Sequence, residues 1–194
     1  MKIIPLCVGL LMAGSVCAEN IDATNLRTYG ENENTLIYVF TSPTCPHCAT
    51  YQKEILPVLK QEYADKNLAQ VKVVDMPGDK KALRAIQLGR CMTGEQYAKY
   101  ADAVYQNQAI WAYAKNPDDI LKGYATESGM PAKAQQRCLM NAKLTKSIIA
   151  QSGNLSQMYH ITGLPSTVVV KGLQSKTIVG SGDTVLSDIQ KAVK

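Results

Sequence analysis

Two cysteines with two residues between them, Cys45-Pro46-His47-Cys48, are the residues of this chain best placed to do chemistry. This spacing lets two thiols close a small ring, so the pair can give and take a disulfide bond. Ahead of it runs Thr35 to Thr41 (TLIYVFT), apolar and β-branched, which reads as a buried strand. Behind it, Ala49 to about Ala64 carries Ile55, Leu56 and Leu59 at helical spacing, and Pro46 suits the first helical position. The dithiol therefore stands where a strand hands over to a helix. Unpaired N–H groups and the positive end of the helix dipole would stabilise a Cys45 thiolate there, and a cationic His47 would add to this. Cys48, one turn further in, would close the ring onto Cys45.

Blander chemistry fits less well. Half of a zinc site has the same spacing, but zinc would want a second close pair, and Cys91 and Cys138 lie far apart. A purely structural bridge across so short a loop would constrain the unfolded chain little. Redox chemistry is the expectation, with no metal and no other cofactor.

Residues 1–18 read as a secretory signal peptide. Lys2 supplies the charge, Ile3 to Met12 is mostly apolar, and Val16-Cys17-Ala18 puts a small residue before the expected cut. The apolar run is too short to span a membrane. Cleavage after about Ala18 would remove Cys7 and Cys17 and leave 176 residues with four of the six cysteines. It would lower the net charge from +5 to +4 (20 basic against 16 acidic side chains). Export implies an oxidising compartment where disulfides persist. The modest charge contains no Lys/Arg run, so neither nucleic acid nor a membrane surface is an expected partner.

The elements that must position the dithiol follow in order. Residues 19–34 are a polar lead-in with a short strand around Leu26 to Tyr29, and the first βα unit spans 35–64, its helix kinked at Pro57. Leu68 to Met76 reads as a second strand, parallel to the first. From about 79 to 159 the period is helical. Ala82, Leu83 and Ile86 share one face, and Tyr97, Tyr100, Ala101, Val104, Tyr105 and Trp111 form another. Ten of the twelve aromatic residues are tyrosine, and these stripes read as core. Asn116-Pro117-Asp118-Asp119 starts a helix that Gly129 closes; Cys138, Leu139 and Ala142, then Ile148, Ile149, Leu155 and Tyr159, continue the pattern. Ser166 to Lys171 and Lys176 to Val179 are strands around a turn, and Val185 to Val193 is a closing helix.

The order βαβ, then helices, then ββα is an α/β class: the thioredoxin fold with a helical domain inserted in the middle. The corresponding organisation is 1–18 signal peptide and 19–194 one thioredoxin-like domain, whose fold segments are 35–78 and 160–194 around an insertion of about 79–159. Phe40-Thr-Ser-Pro-Thr-Cys45-Pro-His-Cys48, the helical middle and Thr162-Gly-Leu-Pro165-Ser-Thr resemble the DsbA-like thiol:disulfide oxidoreductases of bacterial periplasms. The resemblance covers nearly the whole mature chain. It implies that Cys45 is the attacking cysteine and Cys48 its resolving partner. Pro46 and His47 tune the pair, and Leu164-Pro165 is a cis-proline loop facing it. Pro165 directly precedes an apolar strand, where it must shape a turn rather than join a ladder. Two departures stand out. Leu36 to Phe40 is uncharged where DsbA and thioredoxin carry a buried acid, and Val-Phe-Thr before the dithiol is closer to the isomerases DsbC and DsbG.

The remaining cysteines, Cys91 and Cys138, each fall on a predicted helix of the insertion. In an oxidising compartment they are expected to join as a structural disulfide; two buried free thiols are the alternative. His160, the other histidine, reads as structural or solvent-facing. The resemblance implies a periplasmic, monomeric dithiol oxidase that donates its Cys45–Cys48 disulfide to reduced secreted proteins and is itself reoxidised by a DsbB-like membrane oxidant. Two alternatives remain beside it: an isomerase or reductase of the DsbC/DsbG type, and a non-catalytic peptide-binding module.

Overall fold

A computed structural model describes residues 26–194; the signal-peptide reading and Cys7 and Cys17 lie outside the described residues. Five strands form one mixed sheet in the order β1-β3-β2-β4-β5. β2 (Thr35–Thr41) is central and pairs parallel with β3 (Gln70–Asp75), aligning Thr41 with Asp75. On its other side β2 runs antiparallel to β4 (Ser166–Lys171), aligning Phe40 with Ser166. β1 (Arg27–Tyr29) and β5 (Gln174–Val179) are antiparallel edge strands. β4 and β5 join through Gly172 and Leu173, with Gly172 at φ +59°, a conformation glycine adopts without a Cβ penalty.

β-branched side chains stiffen this sheet and fill both of its faces. Ile37 and Val39 of β2 pack with Val71, Val73 and Val169 under α1 (Pro46–Glu54) and the closing α9 (Asp183–Val193), which contributes Val185 and Ile189. Phe40, Val74 and Val168 face the other way, toward Leu155, Tyr159 and Leu164. Each fully buried Val or Ile contributes about 1.5–3 kcal/mol, so the alternating pattern itself holds the strands in register.

The helix after the dithiol is not one kinked rod. α1 stops at Glu54, Leu56–Leu59 (α2) follows, and a π-helical turn spans Lys60–Ala64, closed by Asp65 N–H donating to Lys60 O at 2.9 Å. Pro57 has no N–H to give, so the ladder must break near it. The second strand is shorter than its apolar run: Leu68 is half exposed and precedes it.

Between β3 and β4 lie α3 (Lys80–Arg90), α4 (Gly94–Gln106), α5 (Gln108–Trp111), α6 (Pro117–Glu127), α7 (Ala132–Leu139) and α8 (Ala142–Met158). They bury a core of their own around Trp111, Tyr100, Leu88, Met92, Leu121, Leu144 and Ile148. Ile148 is in that core, but Ile149, placed on the same stripe by periodicity, is half exposed. Asn116 precedes α6 without a side-chain cap bond, and Gly129 ends it at φ +93°. Cys91, at the C-terminal end of α3, and Cys138, on α7, are disulfide-bonded with their Cα atoms 6.2 Å apart. The architecture is the thioredoxin fold with a helical insertion.

Candidate active site

Cys45 is the N-cap of α1, in extended backbone geometry, and Pro46 opens the helix behind it. The cap side chain here is a sulfur: the Cys48 N–H donates to Cys45 Sγ at 3.3 Å. Helix starts leave N–H groups unpaired, so the sulfur takes the place that an Asp or Ser oxygen fills elsewhere. The same donor strengthens when the sulfur becomes a thiolate, because hydrogen bonds to ionised acceptors are the stronger kind. Both thiols are free, and their environments differ sharply. Cys45 is partly exposed, whereas Cys48 is wholly buried. Burial pushes the Cys48 thiol up to about 12, with the Cys45 sulfur adding to it and the Ser42 backbone and Thr41 side chain pulling the other way. Cys48 is thus a neutral thiol at ordinary pH. The arrangement is an outer, reachable sulfur beside an inner, sheltered one.

Leu164 and Pro165 close the site from the other side. The Cys45 thiol faces the Leu164 carbonyl at 3.8 Å, and the Leu164–Pro165 peptide bond is cis. The loop is held at both ends: Ser166 Oγ donates to Gly163 O at 2.6 Å, and Gly180 N–H donates to Pro165 O at 2.9 Å. His47 is exposed on the first turn of α1, and His160 is exposed at φ +53° beyond α8. The Cys91–Cys138 bridge belongs to the insertion core, apart from the dithiol.

The structure assembles a buried charge cluster that sequence reasoning did not find. Asp75, the register partner of Thr41, is buried and pairs with Arg27 of β1 at 3.0 Å. Tyr97 Oη donates to Asp75 Oδ2 at 2.7 Å, Tyr105 Oη to Oδ1 at 3.3 Å, and Arg27 also donates to Gln52 Oε1 at 3.1 Å. The guanidinium lies 5.6 Å from the centroids of both tyrosine rings. Tyr105 Oη is also 3.2 Å from Thr41 Oγ1, so the cluster reaches the wall behind Cys48. Burial alone would lower the Arg27 value, but Asp75 and the surrounding tyrosines outweigh it and hold the guanidinium charged. Burial and the Asp75 carboxylate raise both Tyr97 and Tyr105, which therefore keep their protons. The strand before the dithiol carries no acid, and Asp75 brings a buried carboxylate to the same end of the sheet from β3. The signal was one acid closing a valine-rich strand, QVKVVD. Tyr97 and Tyr105 are core residues by burial and also polar partners of that acid.

Two contacts tie the dithiol loop to its surroundings. Thr44 Oγ1 donates to Asp79 Oδ2 at 2.6 Å, and Asp79 in turn caps α3 through Ala82 N–H at 2.8 Å. Gln108 of α5 donates from Nε2 to the carbonyls of Pro43 and Cys45 at 2.8 and 2.9 Å. Among the described residues no group of three or more His, Cys, Asp or Glu side chains could hold a metal ion, and no helix is long and apolar enough to cross a membrane.

A family model described as Thioredoxin matches residues 23–179. A protein of Rickettsia felis that carries a provisional protein-disulfide oxidoreductase name is 28% identical over 175 residues, 90% of this chain and 62% of that relative. The chain thus spans about three fifths of the length of the curated relatives it matches first. Among solved structures, alpha-DsbA1 of Wolbachia pipientis superposes with a TM-score of 0.77 at 20% identity, over 88% of this chain and 92% of that one. Oxidised BdbD of Bacillus subtilis gives 0.71 at 15% identity, over 87% and 92%. Sequence match and shared architecture agree: the chain belongs to the thioredoxin family and has the DsbA-like form of its fold.

Proposed function

We propose that this protein is a thiol:disulfide oxidoreductase working as a dithiol oxidase, with Cys45 the attacked sulfur and Cys48 its resolving partner. The observation that carries the reading is the asymmetry of the pair: Cys45 is reachable and hydrogen-bonded by the helix N-terminus, while Cys48 is buried beneath it. A substrate thiolate attacks Cys45 Sγ of the Cys45–Cys48 disulfide, a substrate–Cys45 bond forms, and Cys48 leaves and takes a proton. A second substrate thiolate attacks the substrate sulfur, the Cys45 sulfur leaves as thiolate, and the new disulfide departs. The substrate loses two electrons and the dithiol gains them. A leaving thiolate stabilised at a helix start makes the disulfide a strong oxidant.

The Leu164 carbonyl beside Cys45 offers an extended substrate a main-chain acceptor, which ignores side-chain identity and suits many unfolded clients. On this reading the chain acts as a monomer in the periplasm on reduced secreted proteins, with residues 1–18 removed, and a DsbB-like membrane oxidant restores its disulfide. The name carried by the Rickettsia relatives supports the activity. The test mixes the oxidised chain with a reduced two-cysteine peptide. One peptide disulfide should form per chain, with Cys45→Ser inactive; Cys48→Ala, offered the oxidised peptide instead, should trap a mixed disulfide as its Cys45 thiolate attacks the peptide disulfide and releases one peptide thiol. Full biological activity of Cys45→Ser in cells would instead mark a peptide-binding module.

A further inference from the structure

We propose that Gln108, carried by the helical insertion, is a positioning residue that sets the oxidising power of the dithiol; this rests on reading Cys45–Cys48 as an oxidising pair. Gln108 is buried at the start of α5, a turn anchored in the insertion core by the fully buried Trp111, whose Nε1 donates to Val104 O at 2.8 Å. From there its amide reaches across to the dithiol loop and donates to Pro43 O and Cys45 O.

The Cys45 carbonyl is crowded. It also accepts from Cys48 N–H at 3.0 Å and from Ala49 N–H at 3.2 Å, although a carbonyl oxygen offers only two lone pairs. Of these donors, Cys48 N–H has a second acceptor in reach, Cys45 Sγ at 3.3 Å. Gln108 competes for the carbonyl and so turns the Cys48 N–H toward the sulfur. That hydrogen bond is worth most when the sulfur is a thiolate, the form it takes after reduction. Gln108 therefore favours the reduced dithiol and makes the disulfide more oxidising. A residue 63 positions from Cys45 thus tunes its chemistry by occupying its carbonyl, without touching the sulfur.

The test equilibrates the full chain with glutathione redox buffers and counts Cys45 and Cys48 thiols by trapping. Gln108→Met and Gln108→Leu both remove the donor. Each should shift the equilibrium about tenfold toward the disulfide form, about 30 mV for a two-electron couple. Ile110→Ala, an exposed site on the same turn, should stay at the wild-type constant. Thermal unfolding of each variant is followed in parallel, and Gln108→Leu is read if Gln108→Met does not fold. A folded donor-free variant with the wild-type constant would overturn the proposal, whether or not its unfolding midpoint falls. Failure of the wild-type pair to exchange electrons with glutathione would instead overturn the oxidoreductase reading, so the two failures are distinct.

Discussion

Replacing Asp75 with leucine should cost far more stability than replacing Asp75 and Arg27 together. The pair is 3.0 Å apart with side chains 4% and 2% exposed, so removing the carboxylate leaves a guanidinium buried without its counter-charge. Breaking such a pair costs about 3–5 kcal/mol. The Tyr97 hydroxyl loses its acceptor as well, adding about 1–3 kcal/mol, whereas Tyr105 retains Thr41 nearby. The single variant therefore stands to lose about 4–8 kcal/mol, comparable with the whole stability of many domains. In Arg27→Met/Asp75→Leu no charge remains to be desolvated, and the double variant should be more stable than Asp75→Leu alone. Urea unfolding of the four oxidised proteins closes the cycle, with a coupling of about 3 kcal/mol expected. Additivity to within about 0.5 kcal/mol would refute the cluster as a coupled unit.

Other perturbations have definite expected outcomes. In the reduced protein at pH 8 iodoacetamide should label Cys45 and spare Cys48, which peptide mass mapping reads directly; equal labelling of both contradicts the burial asymmetry. The Cys48 thiol is raised from 9.0 to about 12, so in that window the native state keeps a proton that the unfolded chain has released. Reduced protein should therefore be fully stable below pH 9 and lose stability, relative to Cys48→Ala, as pH rises toward 12. Cys91→Ala/Cys138→Ala should lower stability by up to about 4 kcal/mol in urea while leaving the dithiol equilibrium unchanged, because that bridge closes a long loop away from the site. Gly89→Ala should be destabilising, since its Cβ would overlap the Tyr97 ring that reaches Asp75; an unchanged urea midpoint would show that the ring yields freely.

What the sequence made legible was local. The run Thr35 to Thr41 and the dithiol at the next helix start are each specified by neighbours within a few residues, so strand and cap could be read directly, whereas the cis-proline loop before Ser166 came with the family resemblance. The apolar stripes of the insertion were equally plain, because helical periodicity repeats over many turns. Asp75 with Arg27, Gln108 with Cys45 and Asp79 with Thr44 were not legible. Their members lie 48, 63 and 35 positions apart, and only the folded sheet and the docked insertion bring them together. A polar side chain inside an apolar run hints that a partner exists but not which one. Ile149 shows the opposite limit: it keeps the helical period of Ile148, yet α8 turns it toward solvent.

The central claim, that Cys45 and Cys48 form an oxidising pair, is tested most directly by the midpoint potential of that pair in glutathione buffers. DsbA lies near about −120 mV, protein disulfide isomerase near about −180 mV and thioredoxin near about −270 mV. A Cys45 sulfur hydrogen-bonded at a helix start above a buried Cys48 predicts a value less negative than about −180 mV. A value near about −270 mV would contradict it and make the dithiol a reductant.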